Sequence, residues 1–178
     1  MASDQGSSSL YRWIRDVPGF PKPGIVFKDV TPLLLTPDAF EEATEGMLGP
    51  FRDLGVTRVV AIESRGFLFG APIALRLGAG LVPIRKPGKL PAARKRVDYA
   101  LEYGTDALEM HSDAVGPGDR VLVVDDVLAT GGTAQAAGRL LTDHGATIVG
   151  YSFLVELAFL AGRGRLTGAR VEALLRYA

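Results

Sequence analysis

The sequence contains no cysteine, which removes disulfides, thiolate metal sites and thiol nucleophiles from consideration and fits a reducing compartment. Net charge is missing as well. Twenty Lys plus Arg stand against twenty Asp plus Glu, so there is no bulk field to hold a nucleic acid or an anionic membrane, and neither is expected as a partner. Long apolar runs are also absent: the longest uncharged stretch, Val127 to Gly138, has 12 residues, against about 20 for a bilayer-spanning helix. The polar start, Met1 to Ser9, lacks the basic and apolar regions of a signal peptide. A soluble protein of the cytoplasm is expected. The two histidines, His111 and His144, are too few and too far apart in the chain to suggest a metal site.

What is present is the length and composition of one globular domain: 178 residues, 47% hydrophobic and 22% charged. Glycine (22) and proline (11) punctuate it densely, so short elements and many loops are expected. A short helix is predicted over Tyr11 to Val17, followed by a rigid extended strip that Pro18, Pro21, Pro23 and Gly24 impose up to Phe27. Asp38 is placed to cap a helix from Ala39 to Leu54, with Gly55 ending it. Val56 to Ile62 reads as a buried strand, Phe67 to Leu77 as a helix and Leu81 to Ile84 as a second strand. Such a crossover implies parallel pairing.

From Arg85 to Arg96 the chain has six basic residues and no acid, a local excess within a neutral whole. Val97 to Tyr103 and Ala107 to Ser112 alternate as a hairpin around Gly104, expected to project from the main sheet. Arg120 to Val124 is a buried strand, Thr133 to His144 a helix and Thr147 to Val155 a further strand. Strands alternating with helices give an α/β fold with a mostly parallel central sheet flanked by helices.

The strongest chemical signal is VLVVDDVLATGGT, Val121 to Thr133. In an α/β sheet ligands bind beyond the carboxyl ends of the strands, where Asp125 and Asp126 should lie. Gly131, Gly132 and Thr133 open a helix, and backbone N–H groups there can surround a phosphate because no side chain blocks its approach. Thr130 and Thr133 add hydroxyls. The adjacent carboxylates can accept hydrogen bonds from a sugar diol, directly or through Mg²⁺. Singly, these residues equally fit a tight turn and solvated N-caps; together they describe a site for a phosphorylated ribose. No G-x-x-x-x-G-K-[ST] occurs and no G-x-G-x-x-G follows a strand, which sets aside triphosphate hydrolysis and dinucleotide binding.

These thirteen residues resemble the 5-phosphoribosyl 1-diphosphate (PRPP) signature of the type I phosphoribosyltransferases. ESRGFLFGAPIA, RKPGKLP, YALEYG and PGIVFKDVTPLL, in the expected order, resemble the adenine-specific branch of that family. The similarity runs from about Ile14 to Leu160 and weakens over Arg163 to Ala178. The resemblance implies the type I fold with a small N-terminal hood (10–35), a tail over 1–9 and a mobile β-hairpin lid (85–112). It implies conversion of adenine and PRPP to AMP and diphosphate with Mg²⁺, in purine salvage, by a homodimer.

Carried over residue by residue, Ala129, Thr130, Gly131, Gly132 and Thr133 resemble the loop for the 5′-phosphate, and Asp125 and Asp126 the pair holding the ribose hydroxyls. Ser64 and Arg65 resemble the pyrophosphate loop, where a strained peptide bond commonly exposes backbone N–H groups. Arg85, Lys86 and Lys89 resemble residues that neutralise pyrophosphate, Arg85 by reaching the neighbouring subunit. Lys89 to Tyr103 resemble the lid, with Tyr103 among the PRPP contacts and Glu102 as the acid/base near adenine N7. Val26 and Lys28 resemble positions whose backbone reads the purine edge, Phe27 the ring stacked on it and Leu157 an apolar wall. The magnesium is expected to be held mainly by PRPP, with Asp125 or Asp126 as the protein's contribution.

Two other readings share these features. A PRPP-sensing regulator keeps the pocket without catalysis, but such regulators generally carry a DNA-binding module for which this chain has neither length nor charge. A transferase for 6-oxopurines would want a donor facing O6, and the sequence offers no clear candidate.

Overall fold

The computed structural model describes residues 8–100 and 105–178. Glu102, Tyr103 and the Gly104 turn, like most of the 1–9 tail, lie outside the described residues. The centre is a five-stranded sheet of β3 (Arg58–Ile62), β4 (Gly80–Ile84), β7 (Arg120–Leu128), β8 (Thr147–Leu157) and β9 (Arg170–Tyr177). Its order is β4-β3-β7-β8-β9 and every neighbouring pair is parallel. The apolar runs RVVAI and VLVV become its middle because a parallel strand covered on both faces needs an apolar residue at every position. Val59, Val60, Val121, Leu122, Val123 and Val124 are fully buried, each contributing about 1.5–3 kcal/mol over exposure.

Helix α3 (Gly66–Leu77) carries the chain from β3 outward to β4, and α4 (Gly132–Thr142) carries it from β7 to β8 in the other direction. Crossovers of one hand running opposite ways place the two helices on opposite faces. The packing agrees: Phe69 and Ile73 of α3 share a core with Met47 and Leu48 of α2 (Pro37–Leu48), whereas Ala137, Leu140 and Leu141 of α4 belong to the other core. The order in which strands are added reverses between β3 and β7, which opens a crevice at their carboxyl ends.

Several boundaries differ from expectation. In place of a helix over Tyr11 to Val17 there is a 3₁₀ turn, Ser9–Trp13, then a hairpin of β1 (Arg15–Pro18) and β2 (Val26–Asp29) paired from Arg15↔Asp29 to Pro18↔Val26. Asp29 organises it, accepting from Arg15 at 2.5 Å and from the Thr31 N–H at 2.9 Å, just before the single-turn helix α1 (Thr31–Leu34). Helix α2 begins at Pro37, so Asp38 lies in its first turn and Thr36 takes the cap position. It stops at Leu48 rather than Leu54, because Pro50 has no N–H for the next helical bond, and a 3₁₀ turn over Gly49–Phe51 follows.

Strand β7 continues past Val124 to Leu128 because β8 pairs along it to Leu128↔Glu156. The two aspartates are therefore within the strand. Strand β9, built from the C-terminal stretch over which the family similarity weakens, forms one edge of the sheet. The hairpin of β5 (Arg94–Ala100) and β6 (Thr105–His111) is a separate two-stranded sheet, but it does not stand clear of the body. Val97, Tyr99, Leu108 and Met110 are buried against the α4 face, and an antiparallel bridge Arg85↔Glu109 ties the hairpin to the end of β4.

Candidate active site

The crevice holds a cavity of about 410 Å³, within the range of small-molecule sites. The turn after β3 supplies Ser64 and Arg65, β7 supplies Asp125 and Asp126 and the loop beyond it Ala129, with Thr133 from the start of α4. Lys86 follows β4, Leu157 ends β8, and Val26, Phe27 and Lys28 of β2 close the opposite wall. A smaller adjoining cavity of about 80 Å³ is lined by Thr130, Gly131 and Gly132 together with Asp125, Ala129 and Thr133. Segments far apart in the chain thus meet at one sheet edge. Gly131 has φ of +79° at the α4 N-cap, a conformation that glycine adopts without steric cost.

The carboxylates differ in surroundings. Asp126 is 4% exposed and accepts from Arg65 Nε. Asp125 Oδ1 accepts the Asp126 N–H at 2.9 Å. Burial, and then the adjacent Asp126 charge, hold the Asp125 carboxyl well above its ordinary range. Arg65 also lies 5.0 Å from the centroid of Phe27, and Phe20 meets the same ring edge-on at 5.1 Å. The side chain of Lys28 turns to Asp16 at 2.6 Å and to the Tyr177 ring at 4.0 Å.

The basic excess over Arg85 to Arg96 is local in sequence only. Arg85 reaches Glu63 at 3.1 Å, the Lys86 N–H donates to Glu63 at 3.0 Å, and Lys89 Nζ pairs with the same carboxylate. Burial alone would raise the Glu63 pKa, but Lys89, the Lys86 N–H and Arg85 outweigh it and the net direction is down. Lys86 Nζ pairs with Asp106 and bonds the Tyr99 hydroxyl at 3.1 Å, and that hydroxyl lies 3.4 Å from Thr133 Oγ1. Arg94 pairs with Glu109 at 3.1 Å and Arg96 with Asp98 at 2.6 Å. Arg85, Lys86 and Lys89, expected to meet an anionic ligand, are thus held by acids from other segments, whereas Arg96 pairs within its own strand.

Arg85 and Lys89 are not among the cavity-lining residues, but Glu63, which anchors both, is one. Glu63 was missed as a site residue. Its signal was available, since it is the first residue beyond the carboxyl end of a buried strand. The Glu63–Ser64 peptide is cis. Among the described residues no three or more His, Cys, Asp or Glu are grouped to hold a metal ion. The Asp125–Asp126 pair offers hard oxygen donors, a donor set that suits Mg²⁺ when substrate phosphates and water complete its shell.

A phosphoribosyl transferase domain family matches residues 51–170. The chain is 60% identical over 164 residues to the adenine phosphoribosyltransferase of Anaeromyxobacter dehalogenans (strain 2CP-C), covering 92% of this chain and 95% of that one. The crystal structure of the adenine phosphoribosyltransferase from Rhodothermus marinus superposes with a TM-score of 0.91 at 52% identity, covering 95% of this chain and 97% of the other. The Saccharomyces cerevisiae enzyme, solved with an imino-altritol bisphosphate and adenine, matches at a TM-score of 0.88 and 40% identity over 93% and 96%. The family match over residues 51–170, with these identities and superpositions across almost the whole chain, places this protein in the phosphoribosyltransferase family, on its adenine phosphoribosyltransferase branch.

Proposed function

We propose that the crevice transfers the 5-phosphoribosyl group of PRPP to N9 of adenine, releasing AMP and diphosphate, as in purine salvage. The observation that carries this is the convergence, in one cavity and the smaller one adjoining it, of a glycine-built helix N-terminus, two adjacent carboxylates, a cationic turn and an aromatic wall. The 5′-phosphate sits in the Ala129–Thr133 loop. Asp125 and Asp126 take the ribose hydroxyls, and Ser64, Arg65, Arg85, Lys86 and Lys89 receive the pyrophosphate. Adenine stacks on Phe27 against Leu157, with the backbone of Val26 and Lys28 reading its edge. The yeast enzyme's structure with an imino-altritol bisphosphate and adenine supports substrates of these two kinds.

Breaking the C1′–O bond to pyrophosphate leaves positive charge on the ribose ring. Carboxylates beside the ring stabilise that charge more than they stabilise the ground state, so they act on turnover. Removing Arg65 from Asp126 to the pyrophosphate frees Asp126 for this role. Glu102, outside the described residues, is assigned the purine proton as N9 attacks, and Tyr103 a contact to PRPP. Asp125 or Asp126 would hold Mg²⁺ with PRPP oxygens, and the ion would neutralise charge on the departing pyrophosphate. Residues 85–112 act as lid and hairpin, excluding water from the reacting centre.

The working form is a homodimer in the cytoplasm. Leu68 and Leu75 on α3 and Leu81 on edge strand β4 are 45%, 84% and 44% exposed, an apolar strip suited to a second copy. The deciding experiment assays adenine, hypoxanthine, guanine and xanthine with PRPP and Mg²⁺. AMP formed from adenine alone is expected. A nucleotide formed from another base in its place would overturn the substrate, and no nucleotide from any base would overturn catalysis.

A further inference from the structure

The turn at 161–163 packs against the backbone of the Ala129–Thr133 loop and is not among the residues lining either cavity. A Cβ built on Gly162 would stand 2.8 Å from Gly131 N and from the Thr130 carbonyl carbon, and closer still to the Ala129 carbonyl oxygen. All three are backbone atoms, with no flexible side chain to give way. The contact is reciprocal, since a Cβ on Gly131 would strike the Gly162 carbonyl oxygen and lie 3.1 Å from its carbon. Gly162 is not among the glycines with positive φ. Space, and not backbone conformation, is what excludes a side chain there.

The turn is held from several directions. Arg163 donates through Nε and Nη2 to Glu156 at 3.1 and 2.6 Å, and through Nη1 to the Val171 carbonyl. The Glu156 side chain is 3% exposed. It stands opposite Leu128, the last residue of β7 before the loop begins, so the loop and its brace depart from the same rung of the sheet. Gln135 of α4 donates to the Arg165 carbonyl at 3.4 Å. Ala161, the one described non-glycine residue with positive φ, at +52°, keeps that conformation because the surrounding contacts over-determine it.

We propose that Gly162 is a positioning residue for the ribose 5′-phosphate: its missing side chain lets the 161–163 turn, clamped by Arg163 and Glu156, serve as the back wall that sets the curvature of the Ala129–Thr133 loop. The inference rests on that loop being the phosphate site. Moving the loop by a few tenths of an ångström misaims N–H groups toward the phosphate and leaves the cations that meet the pyrophosphate where they are.

The test is calorimetric titration of the full-length protein with ribose 5-phosphate and, separately, with pyrophosphate plus Mg²⁺. Gly162→Ala is expected to raise the Kd for ribose 5-phosphate about tenfold or more and to leave that for pyrophosphate within about twofold of the unsubstituted protein. In turnover the KM for PRPP should rise while that for adenine stays. Glu156→Gln, which loosens the clamp without adding bulk, should shift ribose 5-phosphate in the same direction by less, and it decides by the same criterion if Gly162→Ala does not fold. Unchanged ribose 5-phosphate binding, or equal loss of both ligands, overturns the brace. Thr133→Val separates the two readings. If it leaves ribose 5-phosphate binding intact, the loop assignment fails and takes the brace with it; if it weakens binding while Gly162→Ala does not, the brace alone fails.

Discussion

Replacing Glu63 by glutamine should tighten the binding of pyrophosphate. The carboxylate holds Arg85 at 3.1 Å and also Lys89, and an incoming pyrophosphate has to draw both cations away from it. At such distances and an effective dielectric near 20, an unscreened pair is worth about 4 kcal/mol. Arg85 and Lys89 are 33% and 48% exposed, so solvent reduces each pair to about 0.5–1 kcal/mol. Two pairs give about 1–2 kcal/mol, which is roughly a five- to thirtyfold change in affinity. Glutamine still offers an oxygen to the Lys86 N–H, which now donates at 3.0 Å, so the turn after β4 keeps its anchor. Titration calorimetry of Glu63→Gln with pyrophosphate should show the Kd falling by that factor at low ionic strength, the gap closing at about 0.5 M salt as the pairs are screened. Unchanged or weaker binding at low salt, in a variant that melts within a few degrees of the parent, would refute competition and leave Glu63 as an aligner of the cations. The melting curve supplies a second check. The Glu63 pKa is lowered from 4.5 in the folded state, so its stabilisation is complete above that value and is lost as pH falls below it. Glu63→Gln should flatten that acid limb.

Asp125 behaves oppositely. Its folded pKa lies above 3.8, so between the two values the folded state keeps a proton that the unfolded chain releases, and stability declines as pH rises from 3.8 toward the folded value. Asp125→Asn should therefore melt higher than the parent at pH 7 while turning over more slowly; a lower melting temperature there would contradict the burial cost. Phe27→Ala should raise the KM for adenine by about five- to 150-fold, the worth of one stacked base at about 1–3 kcal/mol, with pyrophosphate affinity unmoved; equal losses for both ligands would remove the stacking role. Glu102→Gln should lower turnover by about a hundredfold or more with the KM for PRPP near that of the parent, and full turnover would end its assignment as the acid/base.

The architecture was legible because it rests on short-range properties. Runs such as RVVAI and VLVV can be satisfied only by strands covered on both faces, and their alternation with helical stretches implies parallel crossovers. The thirteen residues from Val121 to Thr133 pointed to a phosphate loop in the same way, as backbone chemistry written into consecutive positions. Errors collected where through-space pairing decides. The N-terminal helix was displaced by a hairpin that Asp29 organises with Arg15, β7 was lengthened by the register of β8, and β9 was not legible because RVEALLRY mixes three charged residues with good helix formers, so that only its pairing with β8 makes it a strand.

The site divides along the same line. Residue order alone pointed to a phosphorylated ribose at the carboxyl edge of a parallel sheet, because glycines, hydroxyls and acids next to a strand end state their chemistry locally, whereas the pyrophosphate entered only through the resemblance to the phosphoribosyltransferases. Only the tertiary structure showed that those charges are already spoken for: Arg65 by Asp126, Lys86 by Asp106, and Arg85 with Lys89 by Glu63. It alone set Gly162 against Gly131 across an interval of the chain that no pattern spans. Charge and packing complementarity act through space, over a few ångströms and without regard to sequence separation. A chain with zero formal net charge can thus hold its site as a set of ion pairs that ligands must exchange.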